Sequence, residues 1–421
     1  MTEVVIVGAG FGGLEAAKAL ADAPASVNVT VIDKRNHHTF QPLLYQVATA
    51  GLNPSDIAHP IRQIIGRQPN CRVLMAEVTD VDPANRTLAT TLGPIDFDYL
   101  IVATGATHAY FGNDDWERLA PGLKTVEDAL DIRHRILLAF ERAEASTDPS
   151  EQKRHMTFVV VGGGPTGVEL AGAIREIATH TLRGQYRSID TTESRVVLLE
   201  AGPRVLPTFA EKLSTAAADQ LRSLGVDVFT SRAVTGIDDR GVDTGEGRIE
   251  ASTVLWAAGV AASPLGRALS QASGVELDRS GRVKVGPSLT VPGFDNVFVI
   301  GDLAAATDAA GVTVPGVAPG AQQGGKHAVA CIEADLDNRP RPEFVYFDKG
   351  SMATVGRSRA VVEIRRLRFS GFPAWVTWWL VHIWSLVGFR SRATVMAGWA
   401  WQYLTRRRDA RLITNTPPLD P

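Results

Sequence analysis

The sequence predicts an α/β protein built from two Rossmann-type dinucleotide-binding domains, with amphipathic membrane-docking helices at the C-terminus. Three observations carry that expectation. A glycine-turn motif occurs twice, an acid closes the strand after each copy, and a basic, tryptophan-rich end follows an otherwise acidic chain.

The first glycine copy is EVVIVGAGFGGLEAAKALAD (3–22) and the second FVVVGGGPTGVELAGAIREI (158–177). Each joins an apolar strand to an Ala-rich helix through a tight turn, and each leads on to a strand ending in an acid, Asp33 and Glu200. Such a βαβ unit binds a dinucleotide for a specific reason. Gly8 permits the turn, Gly10 lets backbone approach a pyrophosphate, and Gly13 lets helix pack on strand; Gly162, Gly164 and Gly167 repeat the plan. The helix start supplies unpaired N–H groups and partial positive charge to the phosphates. A carboxylate about 20 residues beyond the last glycine accepts hydrogen bonds from an adenosine ribose. At Glu200 that acid favours NADH over NADPH, because a 2′-phosphate would meet a like charge, although Arg204 stands close enough in sequence to soften the preference.

Three more apolar segments end in small residues where backbone must pass near something: DYLIVATGA (98–106), STVLWAAGV (252–260) and NVFVIGDLAA (296–305). From Pro319 the helical spacing of PGAQQGGKHAVACIEADL predicts a helix whose N-terminus could stabilise negative charge on a bound ring.

The C-terminal end differs in kind. Residues 365–411 hold nine Arg, one Asp, no Lys and no Glu, in a chain whose net charge is −3, which places a boundary near residue 345. From Phe369 to Phe389 no side chain is formally charged, and Trp375, Trp378, Trp379 and Trp384 crowd one run. A helix from Ala374 to Phe389 reaches about 24 Å, short of a bilayer core of roughly 30 Å, so it is expected to lie in the membrane interface rather than cross it. A second segment, 393–408, ends in the basic cluster Arg406-Arg407-Arg408, suited to anionic headgroups. A dimer interface or an ordinary core helix is the competing use of such an aromatic stripe.

Composition excludes other classes. Cys71 and Cys331 lie far apart with no C-x-x-C or C-x4-C spacing, so neither a disulfide framework, a metal site nor a redox-active pair is expected. The start of the chain leaves no room for a secretory signal, which predicts a cytoplasmic active face. The net charge gives no reason to expect nucleic acid.

Together the glycine motifs and the three small-residue segments resemble the flavoproteins with two dinucleotide-binding domains. The segments at 37–62, 347–362 and 372–392 narrow the resemblance to the type II NADH dehydrogenases, single-subunit, non-pumping NADH:quinone oxidoreductases. That resemblance implies FAD in the first domain, NADH as substrate in the second, and a membrane quinone, menaquinone or ubiquinone, as acceptor. For FAD it implies Gly8, Gly10, Phe11, Gly12, Gly13, Asp33, Lys34, Pro42, Leu43, Ala103, Thr104, Gly105, Gly301, Asp302, Ala321 and Gln322. For NADH it implies Gly162, Gly164, Pro165, Thr166, Gly167, Glu169, Glu200, Ala258 and Gly259. Glu169 and Gln323 are the expected catalytic residues, Glu169 for proton delivery, with an ion pair to Arg175 or Lys326 as its structural alternative. Where the family pattern has a first Gln, this chain has Pro319, which cannot donate a side-chain hydrogen bond to a quinone. The expected domains are 1–115 and 276–344 for FAD, 116–275 for NADH with a helical linker over 116–153, and 345–421 for docking and dimerisation as a homodimer. A membrane-docked redox sensor or diaphorase is the alternative function.

Overall fold

A computed structural model describes residues 1–386, 389–405, 408 and 410–413. The chain divides into two compact units, residues 1–39, 58–107 and 260–348 in one and 40–57, 108–259 and 349–421 in the other.

The first unit is a six-stranded sheet in the order Thr290–Val291, Phe294–Val299, Tyr99–Val102, Thr2–Val7, Val27–Asp33, Cys71–Met75. All pairings are parallel except at the Thr290–Val291 edge. These strands are runs of Val, Ile and Leu because a parallel sheet is covered on both faces, and Val4, Ile6, Val29, Val31, Leu100 and Val297 are essentially solvent-free. Chain order reverses at Thr2–Val7, whose neighbours are Val27–Asp33 on one side and Tyr99–Val102 on the other. That is where a doubly wound sheet opens a crevice at its strand ends.

The second unit repeats the scheme with four parallel strands, Val226–Phe229, Arg195–Leu199, Thr157–Val161 and Thr253–Trp256. Its order reverses at Thr157–Val161. Residues 40–57 and 349–421 group with this unit. Motif spacing alone assigns the first of these to the FAD domain and the second to a separate module. Neither segment has a sheet large enough to form a core alone, so each packs on what is present.

The C-terminal part begins with an antiparallel sheet, Ser351–Gly356, Arg359–Ile364 and Leu367–Ser370. The helix Phe372–Ser385 follows, entered through Gly371 at φ 79° with Pro373 in its first turn. Ala374 is buried with Ala360 and Val362 of that sheet, and Trp375 packs against the same cluster. This corrects the expected helix over Ala374–Phe389: it ends four residues earlier, Leu386 turns extended, and a second helix runs Phe389–Thr405. The tryptophan helix is thus part core element, with one face on its own sheet. Val387, Gly388, Arg406, Arg407, Asp409 and the Pro-rich end, 414–421, lie outside the described residues. Among the described residues, no helix is long and apolar enough to cross a membrane.

Candidate active site

Each glycine turn is built as its residues dictate. In the first unit Gly8 has φ 97°, and a Cβ there would stand 2.5 Å from the Ala103 carbonyl oxygen. A Cβ on Gly13 would come within 1.8 Å of the Gly8 oxygen, so strand and helix touch through backbone alone. The second unit reproduces this: Gly162 has φ 106° with Ala257 at 2.5 Å, and Gly167 would meet the Gly162 oxygen at 1.8 Å. A Cβ on Gly10 or Gly164 would meet nothing within 4 Å, which leaves backbone open to a ligand at the start of the helices Phe11–Ala19 and Pro165–Glu176. Pro165 and Thr166 form the first turn of the latter.

The acids hold these turns. Asp33 accepts from the Ala9 and Arg35 amides at 2.7 and 2.8 Å, and Glu200 from Gly163 and Gly202, both at 2.6 Å. Each carboxylate oxygen keeps a lone pair for a ribose hydroxyl. Arg204 donates to the Pro207 carbonyl at 3.0 Å.

The first unit fits a flavin adenine dinucleotide by its own geometry. The N-terminal turns of Phe11–Ala19 and Ala318–Leu336 meet: a Cβ on Gly12 would lie 3.0 Å from the Ala321 oxygen, and one on Gly325 2.4 Å from the Gly12 oxygen. Two helix starts therefore face one region, where they favour an anionic ligand. The Thr104 hydroxyl is buried with no protein partner, a cost that a bound polar group removes. Gly105 beside it has φ 68°, and Gly301 in the turn Gly301–Leu303, which carries Asp302, has φ 69°. Lys34 is exposed at the end of the Asp33 strand.

His38 is a contributor that sequence pattern alone places in a loop. It sits in the strand His37–Thr39, buried, with Nδ1 2.9 Å from the Ala9 carbonyl and its ring edge-on to Phe11. Burial lowers its pKa to about 4, so the neutral ring donates from Nδ1 to the glycine turn.

Gln323 spends its amide on backbone. It donates to the Phe347 and Pro319 carbonyls at 3.0 and 3.2 Å and accepts from the Phe347 amide at 2.8 Å. Gln322 is half-buried on the same helix. In the second unit Leu43 is fully buried in the turn Gln41–Leu43, and Pro42 is half-buried. The ring of Phe111, a residue at φ 53°, lies over Ala258-Gly259, where a Gly259 Cβ would be 2.6 Å from it.

The second unit also holds a half-open cavity of about 440 Å³. Trp375, Trp378, Trp379 and Trp399 wall it, and Tyr45, Glu169 and Thr354 line it. Glu169 has neither ion pair that the sequence allowed: Arg175 donates to the Leu224, Thr192 and Ser194 carbonyls, and Lys326 pairs with Glu15. Among the described residues the carboxylate receives only the Thr354 amide, at 3.4 Å. Burial, weakly opposed by that bond, pushes its pKa up to about 8. A carboxylic acid that keeps its proton at neutral pH thus opens on a cavity with tryptophan walls, lined also by Glu176, Arg357, Arg359 and Arg408. The floor is tied by Glu176, which accepts from the Arg357 amide at 2.5 Å and pairs with Arg408 at 3.0 Å.

Both cysteines are free, and burial raises each thiol to about 11, so neither is poised as a thiolate. No group of His, Cys, Asp and Glu among the described residues could hold a metal.

Two glycine-turned crevices, each with its acid, define a two-domain dinucleotide-binding oxidoreductase. Residues 2–325 accordingly match the family profile described as pyridine nucleotide-disulphide oxidoreductase. The type II NADH:quinone oxidoreductase Ndh of Mycobacterium tuberculosis is 47% identical over 424 residues, covering 98% of this chain and 90% of that one. NdhA of the same organism, also a type II NADH:quinone oxidoreductase, is 48% identical over 428 residues, covering 98% and 89%. In fold, the chain matches NDH2 from Plasmodium falciparum, solved with NADH, at a TM-score of 0.87 and 21% identity over 97% of this chain and 99% of that one. This chain belongs to the type II NADH:quinone oxidoreductase family.

Proposed function

We propose that the protein oxidises NADH and reduces a membrane quinone through FAD, and that the quinone ring enters the tryptophan-walled cavity beside Glu169. FAD supplies the two-electron chemistry, taking hydride from NADH and passing electrons to quinone. The chain's own residues bind, orient and deliver protons. Gly8, Gly10, Phe11, Gly12 and Gly13 with Asp33, Ala103, Thr104, Gly105, Asp302 and the Ala321 helix start hold FAD. Gly162, Gly164, Pro165, Thr166, Gly167 and Glu200 hold NADH, with Ala258-Gly259 at the far side of the crevice from Glu200. Neither crevice calls for a catalytic triad, because hydride transfer is governed by positioning.

The observation that carries the quinone site is the pairing of an aromatic-walled cavity with a carboxyl protonated at neutral pH. Quinone reduction consumes two protons, and Glu169 supplies one without first drawing it from bulk water. Its protonated form prevails below pH about 8, so the quinone step should fall as pH rises through that value. We expect Glu169→Gln to slow quinone reduction roughly 10–100-fold and to flatten this pH profile, with flavin reduction by NADH unchanged. An unaltered profile in that variant would remove Glu169 from the reaction. Steady quinone turnover also separates the enzyme from a redox sensor, whose flavin is reduced once and waits for a partner.

We infer peripheral attachment at the cytoplasmic face of the membrane, and the exposed faces of the last two helices support the attachment itself. Phe372, Leu380, Val381 and Trp384 on one helix and Met396, Trp401 and Leu404 on the other are open to solvent. Arg392 lies 5.7 Å from the Trp384 ring, a basic and aromatic pairing suited to a headgroup layer. A homodimer would use the same apolar surface, and sedimentation with and without detergent distinguishes the two uses.

A further inference from the structure

Pro319 leaves this chain without the side-chain donor that the family pattern places there for a quinone, and the cavity contains a donor of another kind. Tyr45 lines it, almost wholly buried, next to Gln46 on the short helix Leu44–Ala48. Two hydrogen bonds fix the direction of every proton in this corner. The Trp399 indole Nε1 lies 2.6 Å from Gln46 Oε1, and Gln46 Nε2 lies 2.9 Å from the Tyr45 hydroxyl oxygen.

Donor and acceptor chemistry alone orients the amide. An indole N–H can only donate, so the Gln46 atom facing it must be the oxygen. The other end of the amide is then NH2, which can only donate, so the Tyr45 oxygen accepts. The phenol's own hydrogen is left over, and among the described residues no protein acceptor takes it. A buried hydroxyl that lines the cavity with its hydrogen unspent is available to a ligand acceptor. The hydroxyl stays protonated, since burial and then the nearby Glu169 carboxyl raise its pKa well above the ordinary value.

We propose that Tyr45 donates a hydrogen bond to a quinone carbonyl in this cavity, with Gln46 and Trp399 as positioning residues that keep its hydrogen turned to the ligand. The proposal rests on the quinone reading of the cavity given above. It links Trp399 of the Phe389–Thr405 helix, 353 residues away in sequence, to the polarity of the substrate site. Tyr45 keeps its proton throughout, so it binds and polarises the carbonyl, while proton delivery remains with Glu169.

Three variants of the full-length, FAD-loaded protein test it. Tyr45→Phe keeps the ring and removes the donor. Gln46→Glu keeps shape and the Trp399 contact but replaces the NH2 by a second acceptor, which captures the phenol hydrogen and turns it from the cavity. Trp399→Phe frees the amide to rotate. With menadione as acceptor, Tyr45→Phe and Gln46→Glu should each raise KM about tenfold or more, and Trp399→Phe about threefold. Flavin reduction by NADH and the melting temperature should stay near wild type in all three. Photolabelling of the wild type with an azido-naphthoquinone checks the underlying reading: label on peptides containing 45–51, 169–181, 351–359 or 375–403 places the quinone in the cavity. Label found only elsewhere would overturn that reading and this proposal with it. Label in the cavity with a wild-type KM in Tyr45→Phe or Gln46→Glu would overturn this proposal alone.

Discussion

Glu169 shows how one side chain can trade stability for chemistry. Its folded pKa of about 8 stands above the ordinary value of 4.5, so the folded chain holds a proton that the unfolded chain releases between those limits. Wild-type stability should therefore decline as pH rises from 4.5 to about 8 and level off above. Glu169→Gln carries no such penalty. We expect it to match wild type below pH 4.5 and to exceed it above pH 8 by on the order of 2–4 kcal/mol, read from urea unfolding at the two extremes. Equal stability at high pH would mean that the carboxylate is solvated or paired after all. The environment of this residue was beyond reading in sequence, because the hydrogen-bond donor it has among the described residues, Thr354, is 185 positions distant. The candidates nearer in pattern, Arg175 and Lys326, face other partners.

At the scale of elements, the two glycine turns make separable predictions. A methyl group on Gly13 would meet the Gly8 oxygen at 1.8 Å, and one on Gly167 the Gly162 oxygen at the same distance. Gly13→Ala should yield protein that loses FAD on gel filtration. Gly167→Ala should keep FAD, yellow and folded, but resist reduction by NADH while dithionite still bleaches it. These motifs were legible because their spacing is local: strand, turn, helix and closing acid fall within residues 2–33 in one copy and 157–200 in the other. The C-terminal helices were legible in composition but not in length. Nothing between Phe372 and Ser385 breaks a helix; Ala374 seats the first turn on the sheet, and the chain leaves the helix at Leu386, which is extended. Their outward side chains predict docking. Replacing Leu380, Trp384 and Leu404 together by Ser should weaken liposome binding at least tenfold, since each buried apolar side chain contributes roughly 1.5–3 kcal/mol. Unchanged co-sedimentation with vesicles would assign that face to another partner.

For the whole molecule, one chain carries two sheets of the same plan, each reversing order at the strand that precedes its glycine turn. That duplication was plain in the sequence, as were the two acids. The grouping of residues 40–57 and 349–421 with the second sheet was not, since it depends on tertiary packing. The consequence is that the cavity's walls come from segments far apart in the chain, and its chemistry could be read only once they were assembled. One enzyme must both accept electrons from NADH and surrender them to quinone. Anaerobic double-mixing stopped-flow tests this most directly: NADH in the first push, a menaquinone analogue in the second, with flavin absorbance followed throughout. We predict bleaching by NADH, full recovery of colour on quinone addition, and a steady turnover no faster than the slower of the two phases. Flavin that bleaches but stays reduced in excess quinone would contradict that claim.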